Sequence, residues 1–333
     1  MVIKNLVFQG GGVKGIAYSG AIQVLQAQDL LRTVENVAGA SAGAITAALL
    51  AVGATADEIQ SIVGSTDFAT FMDGRGGVIG DTVRLVKFYG IYKGDEFEQW
   101  FRQQLGTLTQ RLTGTAQPDL TFAQLSALAA KEPARFRNLY VVTTNLTRQT
   151  AEVFSAQTRP NVTLWQAVRM SMSIPLFFEA FHFNGDVYVD GGLSWNYPID
   201  LFDGLLRDPV LGKPVMPPEI GVNNDTLGFS LGTKEQIQHL EQDGTPPSVS
   251  VTGLESYAKA LFGFMLNAAN RLRLDPDSMQ RTVFIDNANV STTDFTLSEE
   301  LKQKLVDNGI LATTGWLLRA AQPALAAQIA TGT

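Results

Sequence analysis

A G-x-S-x-G motif, Gly39-Ala40-Ser41-Ala42-Gly43, directly follows a strand-like run early in the chain. The residues after it, 44–50, favour a helix and are almost wholly apolar. A serine hydroxyl becomes an effective nucleophile when a sharp turn between a strand and a helix presents it beside a base and oxyanion donors. The small residues on both sides of Ser41 permit such a turn. The motif therefore predicts a strand–turn–helix unit with a reactive serine at the turn.

The uncharged stretch from residue 37 to residue 56 also admits a membrane-spanning helix, because two of its glycines are four residues apart. Its residues are mostly Gly, Ala, Ser and Thr, and the charges that flank it are Glu35 and Asp57 rather than basic anchors. A buried helix of a globular domain explains the stretch better. Residues 2–8 read as a strand and not as a signal peptide, so we expect a cytoplasmic protein that contacts membranes, if at all, peripherally.

The composition limits the classes of protein that fit this chain. Hydrophobic residues make up 45% of the 333 residues and charged residues 17%, which is enough apolar material for a large core. A net charge of -7 argues against nucleic acid as a partner. The chain has no cysteine, which excludes disulfides, thiolate catalysis and cysteine-based metal sites.

Strand-like and helical segments alternate along the chain, which predicts an α/β fold with a mostly parallel central sheet between two helical layers, an αβα sandwich. We expect one domain over residues 1–333, with a motif-bearing core at about 3–200 and a portion at 225–320 that completes the sheet. The proline-rich stretch around 204–224 predicts a loop. Strands are predicted at 3–8, 34–38, 138–147, 151–155, 187–189 and 226–231, and helices at 42–52 and 298–319.

A glycine loop at residues 10–15, Gly-Gly-Gly-Val-Lys-Gly, stands between the first strand and a helix. It matches the G-x-G-x-x-G pattern of dinucleotide-binding domains, but that pattern requires an acidic residue at the end of the second strand. Glu35 lies too early to fill that position. The other interpretation is that the amides of the loop face an anion, which in acyl transfer is the oxyanion of the tetrahedral intermediate. A non-catalytic module that binds a nucleotide or a lipid through this loop stays open.

The general base has three candidates. A Ser-His-Asp triad, as in α/β-hydrolase esterases, requires a histidine, and the chain has only His182 and His239. His182 lies among phenylalanines, where a packed histidine is the plainer interpretation, and His239 lies in a polar helical stretch. Asp190 ends an apolar strand and precedes two glycines, so its carboxylate can lie at a strand end where backbone approaches closely. An ordinary Asp-Gly turn is the competing interpretation.

Taken together, these segments resemble the patatin-like phospholipase family. The segment 10–15 is similar to the oxyanion loop of the family, and 39–43 is similar to its nucleophile elbow. Asp190-Gly191-Gly192 followed by Asn196-x-Pro198 resembles its D-G-[GA]-x-x-x-N-x-P block. The segment 169–175 resembles its A-S-x-A-x-P segment, with Met170 and Ser173 in place of the usual alanines. A similar-looking tail at 281–286 extends the resemblance over nearly the whole chain.

The resemblance implies a lipid acyl hydrolase, of the phospholipase A or lysophospholipase type, that works without histidine, cofactor or metal. Ser41 is then the nucleophile, Asp190 the base, and an acyl-enzyme the intermediate. The backbone amides of Gly11, Gly12 and Ala42 are the candidate oxyanion donors, each worth roughly 3 kcal/mol when well placed. Lys14 is the candidate contact for a lipid head group, although a solvent-facing lysine explains it equally well.

Two basic segments interleaved with apolar residues, 75–93 and 257–274, resemble amphipathic elements that lie in a membrane interface. The plainer interpretation is that each is a core-facing helix with a basic outer face. The expected partners are accordingly a lipid or phospholipid substrate and the surface of a membrane, with no nucleic acid.

Overall fold

The computed structural model describes residues 2–72, 87–204, 221–238, 250–253, 256–257, 260–261, 263–266, 276–292, 294 and 296–331. The strands are β1 (Asn5–Phe8), β2 (Asn36–Ala40), β3 (Gly90–Tyr92), β4 (Asn138–Asn145), β5 (Thr150–Phe154), β6 (Leu176–Phe178), β7 (Phe181–Phe183), β8 (Asp186–Asp190), β9 (Thr226–Gly232) and β10 (Thr282–Asp286). The helices are α1 (Ala17–Ala27), α2 (Ala42–Ala51), α3 (Ala56–Gly64), α4 (Asp95–Thr113), α5 (Phe122–Lys131), α6 (Leu164–Ser171), α7 (Gly192–Trp195), α8 (Lys234–Gln238), α9 (Pro276–Gln280) and α10 (Glu299–Thr331).

One sheet joins strands from both ends of the sequence. Its strand order is β10-β9-β1-β2-β4-β8-β7, with β5 also paired to β4. The first five strands in this order are mutually parallel, whereas β5 and β8 run antiparallel to β4, and β7 runs antiparallel to β8. The predicted α/β fold with a mostly parallel central sheet is therefore confirmed.

Alternation along the strands divides the hydrophobic core into two clusters, one on each face of the sheet. Leu6 and Phe8 of β1 belong to the larger cluster, together with side chains of α1, α2 and α10, whereas Val7 between them belongs to the smaller one. The smaller cluster is covered by side chains of residues 195–202. Successive side chains of a strand point to opposite faces, so both faces of these strands are buried, as expected for parallel strands covered on both sides.

The helix that follows the G-x-S-x-G motif is buried throughout. Every residue of α2 from Gly43 to Ala51 is buried, which agrees with the buried helix expected from its uncharged sequence. Within the described ranges, no helix is long and apolar enough to cross a membrane.

The observed strands and helices differ little from the expected ones in the core, and more at the periphery of the fold. β2 begins two residues later than expected and extends to Ala40, so the strand leads directly into Ser41. The short strands β3, β6 and β7 were not expected, because three residues are too few to show a periodic pattern. α10 continues past residue 319. Of the proline-rich loop, residues 205–220 lie outside the described residues.

Candidate functional site

The strands that precede Ser41 and carry Asp190 meet end to end along one edge of β4. β2 runs parallel to β4 and stops with Ala40 opposite Val142. β8 runs antiparallel to β4 and stops with Asp190 opposite Thr143. β5 pairs with the same part of β4, so β2 and β8 share the other edge. Because both strands point their carboxyl ends at the junction, Ser41 and Asp190 come together although they are far apart in the sequence.

Ser41 occupies a strained turn between β2 and α2. Its backbone has φ 51° and ψ -126°, in the positive-φ half of conformational space, which costs a non-glycine residue about 1–3 kcal/mol. The flanking glycines let the turn pack closely. A Cβ on Gly39 would lie 2.3 Å from the carbonyl carbon of Gly43, and one on Gly43 would lie 2.2 Å from the backbone oxygen of Phe8. The predicted need for small residues around the serine therefore has a steric cause.

The Ser171 hydroxyl lies in the junction between the two strand ends. It accepts a hydrogen bond from the Ser41 amide at 2.8 Å and donates one to the Val142 carbonyl at 2.6 Å. The Ser173 carbonyl accepts the amide of Asp190 at 2.9 Å. The turn at the end of α6 thus holds the backbone of both predicted site residues.

Asp190 is fully buried at the carboxyl end of β8. Its Oδ1 accepts the Gly192 amide at 2.7 Å, whereas its Oδ2 has no hydrogen bond within 3.5 Å among the described residues. Burial raises the pKa of Asp190 to about 7, against the influence of the nearby Ser41 hydroxyl and of the Gly192 amide, which lower it. A carboxyl group with this pKa changes its charge near neutrality.

Residues from two distant segments fix the shape of the glycine loop. The Gly10 amide donates to the Asn196 carbonyl at 3.0 Å, and the Asn196 side-chain amide donates back to the Gly10 carbonyl at 3.2 Å. Gly12 has φ 57°, and a Cβ there would lie 1.9 Å from the backbone oxygen of Thr292. Glycine is therefore required at position 12 both by conformation and by the close approach of the chain.

Three backbone amides of the site have no hydrogen-bond acceptor within the part of the chain that the structure describes. They belong to Gly11, Gly12 and Ala42. The latter two begin helical segments, whose first amides lack a partner inside the helix. Gly12 and Ala42 line the same cavity as Ser41. Such amides are available to an anionic oxygen that enters the cavity.

That cavity is apolar and extends from Ser41 into the core. It holds about 570 Å³ of space free of protein atoms, part of it open to solvent. The ring centroids of Phe71 and Phe97 lie 5.3 Å apart in an edge-to-face contact on its wall. The lining of side chains with no charge suits a flexible hydrocarbon chain. Its apolar walls include Ile45, Val63, Phe68, Phe71, Phe97 and Phe178.

Lys14 belongs to the glycine loop and is half-buried. Its Cε is 3.6 Å from the position that a Cβ on Gly11 would take. Burial lowers the pKa of Lys14 to about 8. Among the described residues, no carboxylate lies within 4 Å of its ammonium group, so the cation is available to an anionic ligand.

The other sequence candidates do not join this site. His182 lies on the edge strand β7, is exposed, and contacts the ring of Tyr89 at a centroid distance of 6.5 Å. The packed histidine considered for this position is therefore wrong. His239 lies outside the described residues. Glu35 pairs with Lys4 at 3.7 Å on the exposed side of the sheet's other end, not at the carboxyl end of β2.

The two basic segments are only partly described. In the first, residues 75–86 lie outside the described residues, and the remainder ends in β3, which pairs with β6. In the second, residues 258–259, 262 and 267–274 lie outside them. Tyr257, Leu261 and Phe264 are exposed helical residues, whereas Leu266 is buried.

The fold and the site together define an α/β protein with a serine at a strand–turn–helix elbow beside a buried aspartate. The model of the Patatin-like phospholipase family matches residues 6–203, and the chain belongs to this family. It is 30% identical over 313 residues to the uncharacterized protein YqhO of Bacillus subtilis, a match that covers 91% of this chain and 94% of that protein. An uncharacterized protein of Acanthamoeba polyphaga mimivirus is 28% identical over 316 residues, covering 92% of this chain and 91% of that protein.

A further relative matches part of the chain, and a solved structure has a similar fold. The "Probable lipid hydrolase 463L" of Invertebrate iridescent virus 6 is 24% identical over 206 residues, covering 60% of this chain and 62% of that protein. The crystal structure of VipD from Legionella pneumophila superimposes with a TM-score of 0.62 at 21% identity, covering 95% of this chain and 67% of that chain. At this identity the likeness shows the fold.

Sequence reasoning assigned no role to Ser171, Asn196 or Thr292, although the structure places all three against the site. Ser171 and Asn196 lie in the family-like blocks, so their positions carried a signal but their contacts did not. Thr292 lies in no motif. It reaches the glycine loop only because the chain after β10 returns over the end of the sheet where this loop lies.

Burial of Asp190 predicts a pH-dependent effect on stability. Its folded pKa of about 7 lies above the ordinary aspartate value of 3.8, so its contribution to stability is fully present at low pH and is lost as the pH rises toward 7. Asp190→Asn removes the buried charge. The Tm of the variant minus the Tm of the wild type is therefore expected to increase as the pH rises from 5 to 8, as measured by calorimetry.

The exposed Asp307 of α10 provides the control. Asp307→Asn is expected to shift Tm by the same small amount at both pH values. A difference in Tm between the wild type and Asp190→Asn that stays constant from pH 5 to pH 8 would show that Asp190 is not desolvated.

Proposed function

We propose that this chain is a lipid acyl hydrolase in which Ser41 is the nucleophile and Asp190 the general base. The observation that carries the proposal is the meeting of the ends of β2 and β8. The elbow serine, which lines an apolar cavity, follows the end of one strand, and a buried carboxylate stands at the end of the other. Membership of the Patatin-like phospholipase family supports action on lipid esters. An acyl chain of the substrate would occupy the cavity, with its ester carbonyl at Ser41.

In the acylation step, Asp190 Oδ2 takes the proton of the Ser41 hydroxyl as Oγ attacks the ester carbonyl carbon. The carbonyl π-bond electrons move to the oxygen, and this oxyanion faces the amides of Gly11, Gly12 and Ala42. When the tetrahedral intermediate collapses, the bond to the alcohol oxygen breaks. Asp190 returns its proton to that oxygen, so the alcohol or lysolipid leaves neutral and Ser41 carries the acyl group.

In the deacylation step, a water molecule replaces the alcohol. Asp190 takes a proton from the water while its oxygen attacks the acyl carbon, and the same amides hold the second oxyanion. Collapse breaks the bond to Ser41 Oγ, which regains a proton from Asp190. The fatty acid leaves, and the enzyme returns to its starting protonation state.

The raised pKa of Asp190 answers the main objection to a dyad without histidine. An ordinary carboxylate is a weak base near neutrality, but burial brings the pKa of Asp190 to about 7, the range in which a general base is most effective. Oδ1 is fixed by the Gly192 amide, which leaves Oδ2 for the proton.

Lys14 and the cavity favour a phospholipid over a neutral lipid. The ammonium group belongs to a residue of the glycine loop, and no carboxylate lies within 4 Å of it in the described ranges. It is placed to attract a phosphate while the acyl chain lies in the apolar cavity. A triacylglycerol offers no anion to this lysine.

The reaction predicts which side chains activity requires. Ser41→Ala removes the nucleophile and Asp190→Asn the base, so each is expected to lower kcat for phospholipid hydrolysis by roughly 10³-fold or more. Labelling by a fluorophosphonate is expected in the wild type and lost in Ser41→Ala. Fatty acid release from phospholipid in detergent micelles and in-gel fluorescence measure the two effects.

Two control variants separate this proposal from its alternatives. Ser19→Ala removes a buried hydroxyl of α1 and is expected to keep activity and labelling. The double variant His182→Gln/His239→Gln is expected to stay active, whereas an α/β-hydrolase triad would lose its base. Labelling that persists in Ser41→Ala, or vesicle binding without turnover in the wild type, would refute the proposed hydrolase.

We also propose that the exposed side chains of Tyr257, Leu261 and Phe264 contact the lipid surface. The three residues recur at spacings of four and three, which are the spacings of residues on one face of a helix. Phe264 is 72% exposed. Leu266 packs against the site, since a Cβ on Gly192 would lie 2.5 Å from its Cδ2. The segment 257–274 has basic residues and no acid, which suits anionic lipids.

Replacing all three exposed residues by serine is expected to weaken binding to vesicles by roughly tenfold or more, because their apolar area no longer enters the bilayer. Co-sedimentation with vesicles of phosphatidylcholine and phosphatidylglycerol measures the change, and hydrolysis of a short soluble ester should be unaffected. The matched control is Leu311→Ser/Leu318→Ser, two exposed leucines of α10. Equal losses in both variants would contradict a specific membrane surface.

A further inference from the structure

We infer that Ser171 is a positioning residue whose hydroxyl fixes the separation between Ser41 and Asp190. This inference rests on the proposed function, because it assigns the hydroxyl a role in the geometry of the dyad. Ser171 is fully buried and neither lines the apolar cavity nor contacts Asp190 through its side chain in any described hydrogen bond. Its effect on the reaction is therefore exerted through the backbone.

Where β2 and β8 meet, the Ser171 hydroxyl takes the place of a backbone hydrogen bond between β2 and β4. β2 is paired with β4 up to Ala40 opposite Val142, and the next position on β4 already belongs to β8. The Ser41 amide and the Val142 carbonyl lie at this break. Ser171 Oγ stands between them, accepting from the first at 2.8 Å and donating to the second at 2.6 Å.

The backbone of the same turn holds the other strand end. The Ser173 carbonyl accepts the Asp190 amide at 2.9 Å, and the Ser171 carbonyl accepts the Gly191 amide at 3.2 Å. A Cβ on Gly191 would lie 2.1 Å from the Val142 oxygen and 3.3 Å from Ser171 Oγ. Residues 171–173 therefore bind both strand ends at once, and the Ser171 hydroxyl is the only side-chain group described in that connection.

Strain at Ser41 explains why this hydroxyl matters. The backbone of Ser41 has a positive φ, and such a conformation persists only where its surroundings hold it in place. Without Ser171 Oγ, the Ser41 amide would be buried without an acceptor, and the turn would relax to find one. The Ser41 hydroxyl would then move relative to Asp190, and the interaction with Ser41 that lowers the pKa of Asp190 would weaken.

The test compares Ser171→Ala with Thr109→Val, a matched loss elsewhere in the core. The Thr109 hydroxyl is also fully buried, accepts a backbone amide, that of Gln117, at 2.8 Å, and donates to the Leu105 carbonyl at 2.7 Å. Ser171→Ala is expected to lower kcat by roughly tenfold or more with little change in KM. The acidic limb of its pH–rate profile should move to higher pH. Thr109→Val should lose about as much Tm as Ser171→Ala but leave kcat, KM and the acidic limb of the pH–rate profile unchanged.

A second variant keeps the test valid if Ser171→Ala does not fold. Ser171→Cys retains a weak donor and acceptor of similar shape, and its kcat and pH limb are expected to fall between those of wild type and Ser171→Ala. The inference is overturned if the limb stays in place and kcat falls no further than in Thr109→Val. Ser41→Ala distinguishes a failure of this inference from a failure of the proposed function. If the proposed function is wrong, Ser41→Ala would remain active.

Discussion

The site depends on one feature of the sheet: a parallel strand and an antiparallel strand share a single edge of β4 and point their carboxyl ends at each other. Neither strand overlaps the other in register, since β2 pairs with residues 138–142 and β8 with residues 143–145. In a wholly parallel sheet, the strands that carry Ser41 and Asp190 would both end on the carboxyl side of the sheet, but at different positions across it. The antiparallel β8 instead brings the aspartate to the point where β2 ends.

This arrangement concentrates unfavourable groups in a small volume. A serine with positive φ and a fully buried carboxyl group lie together, with backbone amides that have no acceptor among the described residues. Each is destabilising alone. The rest of the molecule offsets them with a core on both faces of the sheet and with the turn at residues 171–173. The same groups supply the strained nucleophile, the base with a raised pKa and the oxyanion donors that the proposed reaction requires.

Most of the fold could be predicted from the sequence, because long apolar segments separated by glycine loops have few alternatives. The buried α2 followed from its uncharged sequence. Ser41 was predicted as nucleophile from its motif after a strand, whereas Asp190 was predicted as base through the resemblance to the family. The direction of β8 could not be predicted, since a five-residue strand carries no mark of parallel or antiparallel pairing. The contacts of Ser171 and Thr292 were also missed, because they depend on how distant segments return to the site. His182 shows the opposite error: its aromatic neighbours suggested burial, but an edge strand exposes it.

The most direct measurement of the central claim is a crystal structure of the protein after reaction with a long-chain alkyl fluorophosphonate. The phosphorus is expected on Ser41 Oγ, with the phosphonyl oxygen within hydrogen-bond distance of the Gly11, Gly12 and Ala42 amides. The alkyl chain should enter the cavity lined by Phe71 and Phe97, and Asp190 Oδ2 should lie within hydrogen-bond distance of Ser41 Oγ. Attachment to another residue, or an Asp190 carboxylate directed away from Ser41, would contradict the account.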